Sequence, residues 1–125
     1  MTMARATVPR FVHPERRRDS DVIGVMLKQA YEVGSDAFCT HHLAMMKRPD
    51  YRPVLSKISC PTVIIAGKQD LITRAASQFK MADAIKGAQT VLIDKCAHMA
   101  TIEQPEKTLQ AMRQWLTVEE KDLAA

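Results

Sequence analysis

The chain has 125 residues, 18 lysines and arginines against 14 acids, and a formal net charge of +4. That length allows one domain around a single modest core, and the composition is that of a globular protein rather than a disordered or fibrous one. No apolar run approaches the roughly 20 residues of a membrane helix, and the first residues lack the apolar stretch of a secretory signal, so a cytoplasmic protein without membrane contact is expected.

The charge has a local origin. Residues 1–18 hold Arg5, Arg10, Arg16, Arg17 and Arg18 against Glu15 alone, and the rest of the chain sums to zero. No aromatic interleaving or nucleic-acid motif accompanies these arginines, so a solvated arm is expected rather than a nucleic-acid site. With Pro9 and Pro14 and no clear periodicity, residues 1–18 read as an extended basic arm.

Asp19 and Ser20 are suited to cap a helix. Val22, Ile23, Met26, Leu27, Ala30 and Tyr31 then recur at spacings of three and four, which predicts an amphipathic helix ending at Gly34. A second helix follows from Ser35 to about Lys47. Residues 19–50 thus read as a helical hairpin. The turn-rich stretch Arg48–Pro53 separates it from residues 51–125, with a short helical turn at Val54–Ile58.

Thr62–Ala66 is continuously apolar and β-branched, as in a strand buried on both faces of a parallel sheet. Pro61 stands at its entrance, where a missing N–H is tolerated. Ala75, Phe79, Ala82 and Ile85 form a helical stripe closed by Gly87. Gln89–Ile93 is the second strand, so a right-handed parallel crossover is expected. Pro105 opens the last helix, Glu103 and Glu106 suit its N-terminus, and Leu109, Met112, Trp115 and Leu116 are its expected buried stripe. The fold class is therefore α/β, with two parallel strands, flanking helices and an N-terminal helical segment.

Open parallel sheets bind ligands beyond the carboxyl ends of their strands. Asp70 and His98 both lie there, on exit loops of strands about 4.8 Å apart, so their side chains can meet. A carboxylate on one imidazole nitrogen fixes the tautomer and leaves the other nitrogen to act as general base. Either residue alone would read as an ordinary loop residue; the paired placement favours chemistry.

Other clusters carry less. Cys39, His41 and His42 lack a further ligand at sensible spacing, and adjacent histidines diverge by about 100° on a helix, so no metal site is expected. Cys96 shares a loop with His98 and would need unusual geometry to serve as a nucleophile. The three cysteines read as reduced thiols: Cys60 and Cys96 fall at opposite ends of the sheet, about 6 residues apart at roughly 3.3 Å each.

The segment Cys-Pro-Thr-Val-Ile-Ile-Ala-Gly-Lys-Gln-Asp at residues 60–70 resembles the acid-bearing motif of the α/β-hydrolase family. Asp94-Lys95-Cys96-Ala97-His98-Met99 resembles the family's histidine motif, and Ile102–Glu106 resembles the start of its last helix. The resemblance covers residues 53–117, and residues 10–50 look like the end of a cap. It implies Asp70 as triad acid, His98 as base, Leu71 and Met99 at the border of a substrate pocket, and no cofactor. Ala97 stands where the family usually has glycine, and its methyl group is expected to crowd a positive φ. The nucleophile elbow G-x-S-x-G is absent: Ser20, Ser35, Ser56, Ser59 and Ser77 all lack that context. The chain is thus expected to be a partial hydrolase, inactive alone, that acts on a small-molecule substrate when a separate N-terminal half supplies the serine. The alternative is a non-catalytic interaction module on the same scaffold. A two-stranded parallel sheet has little independent stability, which predicts pairing with that half or self-association.

Overall fold

The structure, a computed structural model, describes residues 2–117. Strands β1 (Val63–Gly67) and β2 (Gln89–Ile93) run parallel, in register from Val63 opposite Gln89 to Gly67 opposite Ile93. Helix α3 (Ala75–Asp83) makes the crossover. The chain then forms α4 (Ala100–Glu103) and α5 (Pro105–Leu116). Ile64, Ala66, Ile85, Ile93, Cys96, Ala97 and Ala111 are buried in this half.

The last helix is tied down at both ends. Thr108 Oγ1 donates to the carbonyls of Ala100 and Gln104, which joins α4 to α5. Trp115 Nε1–H donates to the Pro61 carbonyl at the entrance of β1. Its inward face differs from the one the apolar spacing predicts. Thr108 and Ala111 are buried, whereas Leu109, Met112, Trp115 and Leu116 are exposed. Two strands about 4.8 Å apart present a surface little wider than one helix, so the full stripe has nothing to rest on.

Residues 2–16 are not an extended arm. They form α1 (Thr2–Thr7) and single 3₁₀ turns at Val8–Phe11 and Pro14–Arg16. The two prolines sit in the first positions of those turns, where their fixed φ is compatible and no N–H is missed. Burial of Val8 and Val12 against Val22 and Met26 favours this compact path over a solvated one.

Those partners belong to α2 (Ser20–Met46), two helical stretches joined across a kink at Gly34, whose own backbone is not helical. Asp19 caps it by accepting the N–H groups of Asp21 and Val22. Gly34, at φ 74° and ψ 170°, occupies a region that essentially only glycine populates. The break expected there is present as a kink. Beyond it the helix is largely exposed, with Phe38, Leu43, Met45 and Met46 uncovered among the described residues. A 3₁₀ turn at Arg52–Lys57 leads to the sheet. No helix of the described residues is long and apolar enough to cross a membrane.

Gly67 sets the distance between the two strand-exit loops. A Cβ there would collide with the Ala97 carbonyl and lie 2.7 Å from that of Cys96. Both obstacles are backbone, so they cannot swing aside. Gly67→Ala should destabilise the chain by about 2–3 kcal/mol, read as a lower urea midpoint at unchanged slope. Gly24→Ala meets nothing within 4 Å and should raise stability by about 0.5–1 kcal/mol.

Candidate active site

The loop leaving β1 is stitched to the loop leaving β2. Lys68 N–H donates to the Ile93 carbonyl at 2.9 Å, and Gln69 N–H to the Cys96 carbonyl at 2.9 Å. The Gln69 side chain repeats the link, accepting from Cys96 N–H and donating to Asp94 Oδ1, both at 3.2 Å. The exposed Lys68–Asp94 pair adds little beside these.

This stitching delivers Asp70 to His98. His98 Nδ1 lies 2.9 Å from Asp70 Oδ2. An ionised carboxylate only accepts hydrogen bonds, so Nδ1 carries the proton and Nε2 keeps its lone pair in the neutral ring. Asp70 is buried, while about a third of the His98 side chain is exposed. Thr73 completes the acid's surroundings: its hydroxyl donates to Oδ2 at 2.7 Å, and the N–H groups of Ile72 and Thr73 donate to Oδ1. Burial works against the carboxylate, but the bonds from Thr73, His98 and the two N–H groups outweigh it and hold its pKa below the ordinary 3.8.

Glu103 positions the histidine. It is only 1% exposed. Its Oε1 accepts the N–H groups of Ala97 and Met99, the residues on either side of His98, at 2.9 and 3.3 Å. Its Oε2 accepts His13 N–H from the N-terminal segment. Nearby, His98 N–H donates to the Phe11 carbonyl at 3.0 Å, and the Phe11 ring lies 5.6 Å from the imidazole, tilted by 56°. Arg16 donates to the Glu103 carbonyl. The N-terminal segment and the last helix therefore clamp the histidine loop from two sides.

Ala97 is not strained. Among the described non-glycine residues only Lys95 has a positive φ, 54°. Lys95 turns the chain after β2, and its carbonyl accepts from Gln104 Nε2 at 2.9 Å. The need for a missing Cβ falls on Gly67 instead of the residue before the histidine.

Leu71 and Met99, the expected pocket residues, part company. Leu71 is 65% exposed and lines a cleft of about 300 Å³ with Pro9, Arg10, Arg17 and Ile72. Met99 packs on the cluster of Val8, Val12, Val22 and Met26. Cys96 is buried, and burial, with the charges of Glu103 and Asp70, pushes its thiol up to about 11. It is a protonated thiol at neutral pH, unfit as a nucleophile. His42 spends Nδ1 on the Phe38 carbonyl and stacks on the Phe38 ring. No group of three His, Cys, Asp or Glu side chains among the described residues could hold a metal ion.

The sequence alone assigned no site role to Glu103, Gln69 or Phe11, and Glu103 read only as an acid near the start of the last helix. Glu103 had a faint signal, an acid five residues after the histidine and beside Ile102. Phe11 had none, because its role depends on a chain path that the arginines disguised.

No family model matches the sequence. The chain is 34% identical over 67 residues to proline iminopeptidase of Lactobacillus acidophilus, a match covering 54% of this chain and 22% of that protein. It is 33% identical over 63 residues to monoacylglycerol lipase abhd6-A of Xenopus laevis, covering 50% and 19%. The chain thus spans about a fifth of the length of these curated relatives. A thermophilic esterase from Thermogutta terrifontis, solved with malate bound, superposes at a TM-score of 0.86 and 28% identity, over 99% of this chain and 44% of that one. The enol-lactonase of Burkholderia xenovorans shares the fold at a TM-score of 0.79 and 23% identity, over 93% and 44%.

Two outcomes test the site's architecture. Glu103→Gln turns an acceptor into a donor facing buried N–H groups, and should cost about 2–3 kcal/mol in urea unfolding. For Asp70, the lowered folded pKa means its stabilisation is present above the unfolded value near 3.8 and is lost as pH falls through the folded value. Acid titration of stability, followed by circular dichroism, should show that loss below about pH 4, and Asp70→Asn should flatten it.

Proposed function

This chain has the α/β-hydrolase fold over its C-terminal portion, and on that premise we propose that it serves hydrolysis of an ester or related bond, with Asp70 and His98 as acid and base of a Ser-His-Asp mechanism. The observation that carries the reading is the 2.9 Å contact between His98 Nδ1 and a buried Asp70 carboxylate. With Nδ1 engaged, Nε2 is free to take a proton from a serine hydroxyl as that oxygen attacks the carbonyl carbon. Asp70 stabilises the imidazolium so formed. His98 then returns the proton to the departing alkoxide, leaving an acyl-serine. A water, deprotonated by the same Nε2, releases the acid and restores the serine.

The serine comes from outside this sequence, which holds no G-x-S-x-G. We place it on a separate N-terminal half. The support is the uncovered apolar surface around the sheet, including Phe79, Leu92, Leu109 and Met112, and the unpaired outer edges of the two described strands. The reading needs no metal or cofactor. It places the protein in the cytoplasm, where the free Cys39, Cys60 and Cys96 stay reduced. The same exposed surface favours, as second reading, a non-catalytic interaction module.

The test is hydrolysis of p-nitrophenyl butyrate by the purified chain, alone and joined to a polypeptide bearing G-x-S-x-G, with sedimentation run in parallel. No turnover is expected alone. In the complemented enzyme His98→Ala should lower kcat about 10²- to 10⁴-fold. Turnover by the chain alone that survives His98→Ala overturns the assignment, and self-association with no turnover in any complement favours the interaction module.

A further inference from the structure

We propose that the cleft between the N-terminal segment and the loop after Asp70 binds an anionic group of the substrate, a carboxylate or phosphate held away from the bond that is cut. This rests on the hydrolytic reading above, and it names the substrate class that reading leaves open.

The cleft is lined by Pro9, Arg10, Arg17, Leu71 and Ile72 and encloses about 300 Å³, room for a small polar head with a short chain. The cleft has two cations among its lining residues. Arg16 is committed to structure, bonded to Asp19 at 2.6 Å and to the Glu103 carbonyl at 3.1 Å. Arg52 is held by Asp50. The side chains of Arg10 and Arg17 make no hydrogen bond or ion pair with any described residue, and both residues line the same cleft. Guanidinium groups stay charged at any working pH, and their forks match carboxylate and phosphate oxygens. Two of them on one cleft whose lining holds no acid form a site short of one anion.

The cleft also adjoins the reacting groups. Leu71 and Ile72 directly follow Asp70, and the Ile72 N–H is one of the bonds that hold the Asp70 carboxylate. Arg10 directly precedes Phe11, whose ring contacts the His98 imidazole. An anion between the arginines would leave an apolar stretch of the same molecule against Leu71 and Ile72, with its far end toward His98. Leu71 thereby keeps the substrate-facing role read from the sequence, and the N-terminal arginines become part of the recognition surface.

Binding tests this without any need for turnover. The ¹⁵N-labelled full chain is titrated with monoethyl glutarate, with monobutyl phosphate and with the neutral diethyl glutarate, and the amide shifts of residues 9–18 and 71–73 are followed. Saturable shifts there with one or both anions are expected, the stronger of the two identifying the head group. The neutral diester should bind at least about tenfold more weakly. Arg10→Gln and Arg17→Gln should each weaken anion binding about tenfold, while Arg18→Gln, outside the cleft, should act only through screened charge. Equal affinity for neutral and anionic probes, equal weakening by Arg18→Gln, or shifts confined to other parts of the chain would overturn the proposal. Failure of ester hydrolysis with anion binding intact would instead remove the hydrolytic reading and leave the anion site standing.

Discussion

The buried carboxylate of Glu103 joins three separate pieces of chain. It accepts backbone N–H groups from His13, Ala97 and Met99, and so binds the N-terminal segment, the histidine loop and the start of the last helices to one another. A carboxylate so enclosed is tolerable only when its lone pairs are occupied. Here the occupation is by amide groups that would otherwise lack partners inside the fold. The arrangement leaves little freedom to the loop between Ala97 and Met99, and His98 is the residue in the middle of it. Docking of the N-terminal segment is the other half of the same constraint, through the Phe11 carbonyl and ring.

Close approach of the two exit loops is the second requirement. It depends on the missing Cβ of Gly67 and on the Gln69 side chain, which bridges to Cys96 and Asp94. The result is an acid and a base within hydrogen-bond distance across 28 positions of sequence. Asp70 is held as an anion at neutral pH, enclosed but supplied with donors by Thr73 and Ile72. Cys96, two positions before the histidine, meets the opposite environment, and its thiol stays protonated. Neighbouring groups on one loop thus acquire different protonation behaviour from burial and partners alone.

The surface divides unevenly. Around the histidine loop polar groups are matched, and no buried side-chain nitrogen or oxygen among the described residues lacks a partner. Around the sheet and along the second half of α2, apolar side chains remain uncovered. A structure complete in its polar interior and incomplete in its apolar cover fits a portion of a larger fold. The superposition over 99% of this chain but 44% of the Thermogutta terrifontis esterase has the same meaning.

Local signals determined much of this protein from sequence alone. The β-branched run before Gly67, the apolar run Gln89–Ile93 and the stripe between them specify a parallel crossover, because period and branching act within a few residues. The same logic placed Asp70 and His98 on neighbouring loops, Asp19 at the start of α2, and the end of its first helical stretch at Gly34. Tertiary structure alone decided the rest. Arg-rich residues 2–16 fold into turns because Val8 and Val12 find Val22 and Met26, a contact invisible to periodicity. Glu103 turns inward because the His13 N–H, 90 positions away, converges on it with those of Ala97 and Met99. Ala97 is unstrained and Gly67 indispensable because of where two loops cross, and the stripe of α5 stays exposed because two strands are too narrow to cover it. Each depends on which segments meet in space, and no single stretch of sequence contains that information.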